Sequence, residues 1–256
     1  MSHWIRFRHD GATAFGTLEN GTIDVHEGDM FRAPVSTGRT LAVDEVTPLC
    51  PTAAGKMLAL WNNFHALAEK LEQAIPEEPL YFIKSNGSYL GDGGVIRKPP
   101  SYDGKVVFEG ELGIVIGSEC RSVSQQDAAR HIFGYTCIND VTAVEIIGKD
   151  ATFAQWTRAK SFDTFGVFGP VVATEVDPST LSVRTVLNDQ ERQNYPVSDM
   201  IFGPHTIVSM ISRDVTLFPG DVICCGTSVG VGSMKPGSTI EVTIDGIGTL
   251  GNRYEN

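Results

Sequence analysis

The stretch Val106-Val-Phe-Glu-Gly-Glu-Leu-Gly-Ile-Val-Ile-Gly117 decides the fold, together with Phe133-Gly-Tyr-Thr-Cys-Ile-Asn-Asp-Val-Thr142 further along the chain. Glu109 and Glu111 stand two residues apart in an apolar, β-branched run that is typical of a buried strand. Side chains two apart on a strand point to the same face, so we expect two carboxylates side by side. Asp140 follows a helical segment and a second short strand, and it is the natural third member of the group.

Two carboxylates held this close repel each other unless a cation lies between them. An all-oxygen set suits a hard divalent ion such as Mg²⁺ or Ca²⁺. The alternative is that Glu109 and Glu111 line the wet face of an edge strand. Phe108, Leu112 and Ile114 around them are too apolar for a solvated strand, which favours the metal site.

Composition and charge exclude several classes of protein. The 256 residues carry a net charge of -11, and no Lys/Arg cluster of a nucleic-acid-binding surface is present. Acidity also disfavours anionic membranes, and no apolar run approaches the roughly 20 residues of a membrane helix. The five cysteines have no disulfide or zinc spacing, and the N-terminus lacks the apolar core of a signal peptide. We therefore expect a cytoplasmic protein.

Strands outnumber helices, and the last strands follow one another without intervening helices. This pattern predicts an α+β, β-dominated fold rather than a doubly wound one. Residues 1–50 read as short strands with Gly-rich turns and form a predicted small β-rich N-terminal domain. Residues 51–256 form the predicted catalytic domain, with a helix expected over His65–Ala74 after the strand Met57–Trp61. An amphipathic helix is expected over Met200–Ser212, and the alternation in Thr239–Ile244 predicts a strand.

Several ordered motifs resemble the fumarylacetoacetate hydrolase family. These are the two stretches quoted above, Lys160-Ser-Phe-Asp-Thr-Phe165 before Gly169-Pro170, and Pro219-Gly-Asp-Val-Ile223 before Gly226-Thr227. The resemblance runs from about Leu58 to the C-terminus, and several motifs in order are a more specific signal than one. It implies a mixed β-roll/β-sandwich catalytic domain and a homodimer.

The resemblance also implies a set of site residues. Mg²⁺ or Mn²⁺ would be held by Glu109, Glu111 and Asp140, with Ca²⁺ as an alternative occupant in a crystal, and the substrate would be a small anionic 2-oxo acid. Lys160 matches the family's active-site lysine, against the alternative of a surface lysine. Thr227 matches a substrate-contact threonine, against the alternative of a tight turn at a strand end.

Two departures from the family pattern stand out. The usual His and Glu that activate water are replaced by Leu67 and Lys70, whereas His65 and Glu69 lie nearby at i and i+4 on one helical face. They form either a displaced catalytic dyad or an exposed pair on a lid helix. An arginine that many relatives carry after the metal aspartate is Val144 here, and Arg158 is a candidate to replace it.

The leading functional hypothesis is a Mg/Mn-dependent hydrolase that cleaves a C–C bond of an acylpyruvate or a fumarylacetoacetate-like acid. The missing standard dyad gives weight to an isomerase, decarboxylase or hydratase acting on a hydroxymuconate or 2-oxo-dioate of aromatic catabolism. A further hypothesis of another class is a non-catalytic metal-binding member of the family.

Overall fold

The computed structural model describes all 256 residues and contains twenty strands and five α-helices. The strands are β1 His3–His9, β2 Ala12–Glu19, β3 Thr22–Asp29, β4 Arg32–Ala42, β5 Thr47–Pro48, β6 Met57–Trp61, β7 Leu80–Lys84, β8 Tyr89–Leu90, β9 Val95–Arg97, β10 Val106–Phe108, β11 Gly110–Ile116, β12 Ile132–Asp140, β13 Thr142–Ala143, β14 Gly166–Ala173, β15 Ser182–Leu187, β16 Gln190–Pro196, β17 Val222–Cys224, β18 Gly232–Ser233, β19 Thr239–Ile244 and β20 Gly248–Glu255. The helices are α1 His65–Lys70, α2 Gln125–Ala128, α3 Val144–Ile147, α4 Trp156–Lys160 and α5 Pro204–Asp214. None of the helices has the length and apolar character that crossing a membrane requires.

The largest sheet follows the order β4-β3-β2-β1-β14-β12-β11-β17-β6-β7, with β5 paired to β1 and β8 paired to β14. Because β8 follows β7 closely in the chain and returns to β14, the sheet rolls toward itself between these strands. The strand registers put Lys84, Glu111 and Asp140 on one and the same face. The roll therefore gathers ionisable side chains from distant strands on its inner face.

A second sheet of five strands, in the order β16-β15-β19-β20-β9, packs against the outer face of the roll. Side chains of β11 such as Leu112 and Ile114 meet Val183, Val242 and Leu250 of the second sheet in the larger hydrophobic cluster. Alternate residues of β11 thus serve two functions. One set fills the core between the sheets, and the other set, with Glu111, faces the inside of the roll.

The N-terminal strands β1 to β4 form a meander that extends the large sheet. β1 pairs directly with β14, with His3 opposite Ala173 and Trp4 opposite Val172. The strands expected in residues 1–50 are present, and β4 is an additional strand that the sequence pattern did not indicate. The division of the chain into two domains at residue 50 remains a prediction, because β1 before this point and β14 after it are paired in one sheet.

The α+β, β-dominated fold class is confirmed, whereas three local expectations need correction. Glu109 interrupts the stretch around it, so that β10 belongs to a small three-stranded sheet and β11 to the large one. Helix α1 ends at Lys70 rather than Ala74, and Glu72 just beyond it has a φ of 53° that no helix continues through. Helix α5 starts at Pro204 rather than Met200, because proline is suited to the first turn of a helix.

Candidate metal centre

Glu109 lies where the chain passes from one sheet to the other. Its N–H donates to Asn139 Oδ1 at 3.1 Å, and its carbonyl oxygen accepts from the N–H of Asp140 at 2.9 Å. Its side chain is 15% exposed, whereas that of Asp140 is fully buried. These contacts fix Glu109 beside Asp140 although the two residues are far apart in the sequence.

Three carboxylates converge at this point. One oxygen each of Glu109, Glu111 and Asp140 lies within 4.8 Å of the other two. Glu111 Oε2 accepts a hydrogen bond from the Gly226 N–H at 2.9 Å, while Glu111 Oε1 is buried and has no hydrogen-bond partner. A buried carboxylate oxygen without a hydrogen-bond donor destabilises the fold, and a cation bound to Oε1 would remove that cost.

Two buried lysines partly neutralise the carboxylates. Lys160 Nζ donates to Asp140 Oδ2 at 2.6 Å and to Glu109 Oε2 at 2.9 Å, and Lys84 Nζ donates to Asp140 Oδ1. The alternative that Lys160 is an ordinary surface lysine does not hold, since its side chain is 3% exposed. Lys84 was missed in the sequence, where the only signal is a lysine that ends the apolar strand β7.

The electrostatics differ between the three acids. Burial raises the pKa of Glu111 well above its usual range, and the charges of Asp140 and Glu109 raise it further. For Asp140 burial acts in the same direction, but Lys160 and Lys84 outweigh it and lower the pKa. Burial disfavours the charge of Lys160, yet Asp140, Glu109 and Glu111 together raise its pKa. Between Glu111 and Asp140, Glu111 is therefore the acid that holds a proton more readily in the absence of metal.

Thr227 borders the carboxylate cluster at Gly110, the first residue of β11. Its Oγ1 donates to the carbonyl oxygen of Gly110 at 2.9 Å and accepts from Gln193 Nε2 at 2.9 Å. Gly226 before it has a φ of 87°, and an added Cβ would lie 3.4 Å from the Leu60 carbonyl oxygen. Only glycine fits this close turn without strain, which brings the Gly226 N–H to Glu111.

Gln193 of β16 is a second residue that the sequence did not indicate. Its side-chain oxygen accepts from the Gly110 N–H at 3.0 Å, while its Nε2 donates to Thr227 and to the Ser228 carbonyl oxygen. β17 ends before it reaches the level of Gly110, so this N–H lacks a strand partner on that side. Gln193 supplies that partner, and it ties the second sheet to the residue between Glu109 and Glu111.

The structure does not bring His65, Glu69 or Arg158 into contact with the carboxylates. His65 and Glu69 are both exposed on α1, and neither makes a hydrogen bond to the other or to the site. The preceding Phe64 is buried, with its ring 5.0 Å from that of Tyr195. Arg158 is exposed on α4, two residues before Lys160. The base of α1 is thus anchored near the site, while its ionisable side chains face solvent.

The donor set fits a hard divalent cation. It consists of three carboxylates from different strands, an oxygen without a hydrogen-bond partner, and no sulfur or imidazole ligand. Mg²⁺ and Mn²⁺ both accept such a set.

Comparison with known proteins places this arrangement in a family. The model for the fumarylacetoacetate hydrolase C-terminal domain matches residues 56–255, and a model described as Rv2993c-like, N-terminal, matches residues 2–51. The oxaloacetate tautomerase YisK of Bacillus subtilis is 34% identical, over 79% of this chain and 70% of that protein.

Two further relatives carry isomerase names. The bifunctional isomerase/decarboxylase of 4-hydroxyphenylacetate degradation from Escherichia coli is 32% identical, over 99% of this chain and 61% of that protein. The crystal structure of a 2-hydroxyhepta-2,4-diene-1,7-dioate isomerase from Mycobacterium marinum matches with a TM-score of 0.91 and 37% identity, covering 100% of this chain and 98% of that one. Together with the domain match and the carboxylate cluster, these similarities show that the chain belongs to the fumarylacetoacetate hydrolase family.

Proposed function

We propose that this protein is a divalent-metal-dependent isomerase or tautomerase of small 2-oxo acids and their enols. The observation that carries the proposal is the buried cluster of three carboxylates and two lysines, Glu109, Glu111, Asp140, Lys84 and Lys160. The names of the relatives from Bacillus subtilis and Mycobacterium marinum support the same chemistry.

The charge of the cluster indicates an anionic substrate. Three carboxylates and two lysines sum to one negative charge when all are ionised, and a divalent cation would bring the sum to one positive charge. A 2-oxo acid then finds a positive site in an otherwise acidic protein. When bound, the cation would supply a Lewis acid that stabilises negative charge developing on the substrate oxygens.

Lys160 would act as a fixed positive charge rather than as a base. The neighbouring carboxylates hold a proton on its Nζ, and a protonated amine donates hydrogen bonds but cannot remove a proton from carbon. The turn at Gly226 brings its N–H to Glu111, and Thr227 Oγ1 keeps one lone pair that its bonds with Gly110 and Gln193 do not use.

Isomerisation is favoured over C–C hydrolysis by the position of α1. Hydrolysis consumes a water molecule and needs a base to activate it. His65 and Glu69, the two candidates for that role, are exposed and contact neither each other nor the carboxylates. Tautomerisation and double-bond migration consume no water molecule. Each still requires that a proton leave one position of the substrate and return at another, and solvent water would accept and return that proton while Lys160 stabilises the enolate charge.

A substrate panel tests the proposal. Oxaloacetate, 2-hydroxyhepta-2,4-diene-1,7-dioate and an acylpyruvate are each followed spectrophotometrically with Mg²⁺, with Mn²⁺ and with EDTA. We expect metal-dependent tautomerisation or isomerisation of the first two, lost in Lys160→Met, and slower or no cleavage of the third. Cleavage of the acylpyruvate as the fastest reaction would support hydrolysis instead. Metal binding without any turnover across the panel would support the non-catalytic alternative.

We also propose a homodimer in a reducing compartment. Family membership supports the dimer, and five cysteines without a disulfide are in keeping with a reducing environment. Light scattering coupled to size-exclusion chromatography tests the first point, and a single monomeric mass at micromolar concentration would contradict it.

A further inference from the structure

One peptide unit beside the carboxylate cluster is hydrogen-bonded at both of its ends. The N–H of Gly226 donates to Glu111 Oε2 at 2.9 Å. The carbonyl group of the same peptide bond belongs to Cys225, and its oxygen accepts from Asn63 Nδ2 at 2.8 Å. The Cys225–Gly226 peptide is thus held between one of the clustered acids and an asparagine from a distant part of the chain.

Asn63 lies between β6 and α1 and is 1% exposed. Its Oδ1 accepts from the N–H of Phe202 at 2.9 Å, and its Nδ2 donates to the Phe202 carbonyl oxygen at 3.2 Å as well as to that of Cys225. The Phe202 N–H fixes which end of the side-chain amide is the oxygen, so the Nδ2 end faces Cys225. With both of its N–H donors used, this side chain is fixed in one orientation.

Gly226 permits two orientations of the peptide and does not select one of them. Its φ is 87°, a left-handed value. Rotation of a peptide plane changes mainly the ψ of the residue before it and the φ of the residue after it, as type I and type II turns show. Glycine occupies positive and negative φ about equally readily. The rotated peptide would present the Cys225 carbonyl oxygen to the Glu111 carboxylate, and two acceptors repel each other.

The β-ladder does not select the orientation either. β17 ends at Cys224, and the N–H of Cys225 makes the last bond to β11, 2.9 Å from the Leu112 carbonyl oxygen. The Cys225 carbonyl group lies beyond that bond, and Asn63 is its only hydrogen-bond donor. Because a donor at the carbonyl end polarises the peptide, Asn63 also strengthens the hydrogen bond that the N–H at the other end donates.

We propose that Asn63 is a positioning residue of the metal centre, which holds the Cys225–Gly226 peptide with its N–H toward Glu111. Asn63 makes no hydrogen bond to the carboxylates itself and acts on Glu111 through the peptide. This inference rests on the proposed function for the role of Glu111 as a metal ligand. Loss of the Asn63 amide frees the peptide to rotate, which removes the donor from Glu111 Oε2. Groups that hydrogen-bond to a metal ligand orient it for the cation, so the affinity for the cation should fall.

Nuclear magnetic resonance can observe this one peptide in the whole protein. Cys225–Gly226 is the only Cys-Gly pair in the sequence, so labelling cysteine with ¹³C at the carbonyl position and glycine with ¹⁵N gives one carbonyl–amide correlation. The variants are Asn63→Ser, which removes the amide without adding a charge, and Asn63→Asp, which keeps the shape and the acceptor oxygen. Asn62→Asp is the matched control, since the amide of Asn62 donates to the Ala74 carbonyl oxygen instead.

In EDTA, the Gly226 amide proton of both Asn63 variants should move upfield and exchange faster with solvent than that of wild type, because it loses its acceptor. Calorimetry should show a Mg²⁺ affinity about 10–100-fold below that of wild type, the usual cost of losing a group that orients a metal ligand. Asn62→Asp should resemble wild type in both measurements.

A purely structural role of Asn63 would lower the melting temperature of its variants and leave the Gly226 resonance in place. The proposal is therefore overturned if that resonance keeps its wild-type position in both variants, if their Mg²⁺ affinity equals that of wild type, or if Asn62→Asp shows the same losses. Wild-type protein that binds no Mg²⁺ would refute the metal-dependent function, whereas the resonance in EDTA would still show whether Asn63 holds the peptide.

Discussion

Replacement of Glu111 by glutamine should have two opposite effects, which together test the metal centre. In the metal-free protein, Glu111 is a fully buried acid with one oxygen that lacks a hydrogen-bond donor. Asp140 and Glu109 lie within 4.8 Å of it and repel its charge. An amide of the same shape removes that repulsion, and its NH₂ group can donate to the neighbouring carboxylates. The variant without metal should therefore be more stable than wild type.

The size of the gain in stability follows from the buried Glu111 oxygen that lacks a hydrogen-bond donor. A buried polar atom without a partner costs about 1–3 kcal/mol. A change of 1 kcal/mol shifts the melting temperature by about 2–4 °C for chains of this size. Glu111→Gln should thus melt roughly 2–12 °C above wild type in EDTA, although it has lost a charged residue from the site.

Addition of Mg²⁺ should raise the melting temperature of wild type more than that of Glu111→Gln. A cation that binds only the folded state at about 100 times its Kd adds about 2.7 kcal/mol, or roughly 5–11 °C in the melting temperature of wild type. Glu111→Gln loses one anionic ligand, so Mg²⁺ should shift its melting temperature by less than about 2 °C, well below that wild-type shift.

Differential scanning fluorimetry in EDTA and in Mg²⁺, with calorimetry for the Mg²⁺ affinity, measures both effects. Glu119→Gln is the control, since Glu119 is an exposed acid just after β11 and should leave both melting temperatures unchanged. A metal-free variant that melts below wild type would refute the electrostatic reasoning, and an unchanged Mg²⁺ affinity would refute Glu111 as a ligand.

Three further predictions follow from the site. In EDTA, the advantage of Glu111→Gln over wild type should grow between about pH 5 and pH 8. The pKa of Glu111 is raised on folding, so its contribution to wild-type stability is complete below its unfolded pKa of about 4.3 and is lost as pH rises through its folded pKa. A difference in melting temperature between the two proteins that stays constant with pH would contradict this. His65→Ala and Glu69→Gln should each leave kcat within about threefold of wild type, whereas loss of a general base costs about 10²–10⁴-fold; steady-state kinetics that show such a loss would restore the dyad and hydrolysis. Gln193→Met should weaken Mg²⁺ binding about tenfold in calorimetry, with the exposed neighbour Asn194→Ala as control, and equal affinities in the two variants would contradict a positioning role of Gln193.

The parts of the fold that the sequence predicted depend on local patterns. Apolar runs such as Met57–Trp61 and alternating ones such as Thr239–Ile244 became strands with nearly the expected bounds. Helix α1 was overestimated, because the periodicity after Lys70 is weak and a left-handed residue at Glu72 ends the helix. The interruption at Glu109 was not visible, since it depends on which sheet each half of the stretch joins.

The site residues likewise divide into those that a local sequence pattern indicates and those that only long-range contacts bring in. The spacing of Glu109 and Glu111 and the family motif pointed to Asp140 and Lys160, and all four side chains lie together in the structure. Lys84 and Gln193 could not be found in this way, because they reach the site only through closure of the roll and packing of the second sheet. Such contacts join residues that are remote in sequence and that carry no motif of their own.

The two lysines explain how three clustered acids, two of them fully buried, can be accommodated in the folded protein without a cation. Asp140 is held by both Lys84 and Lys160, and Glu109 by Lys160, so only Glu111 is left without a cationic partner. A second negative charge from a substrate would face a cluster that is already one charge negative when fully ionised, and this disfavours substrate binding without metal. Once a divalent cation reverses that sum, the same site attracts an anion. Under the proposed function, the charge balance predicts an order of binding in which the cation precedes the 2-oxo acid, and Glu111 is the residue through which that order would be set.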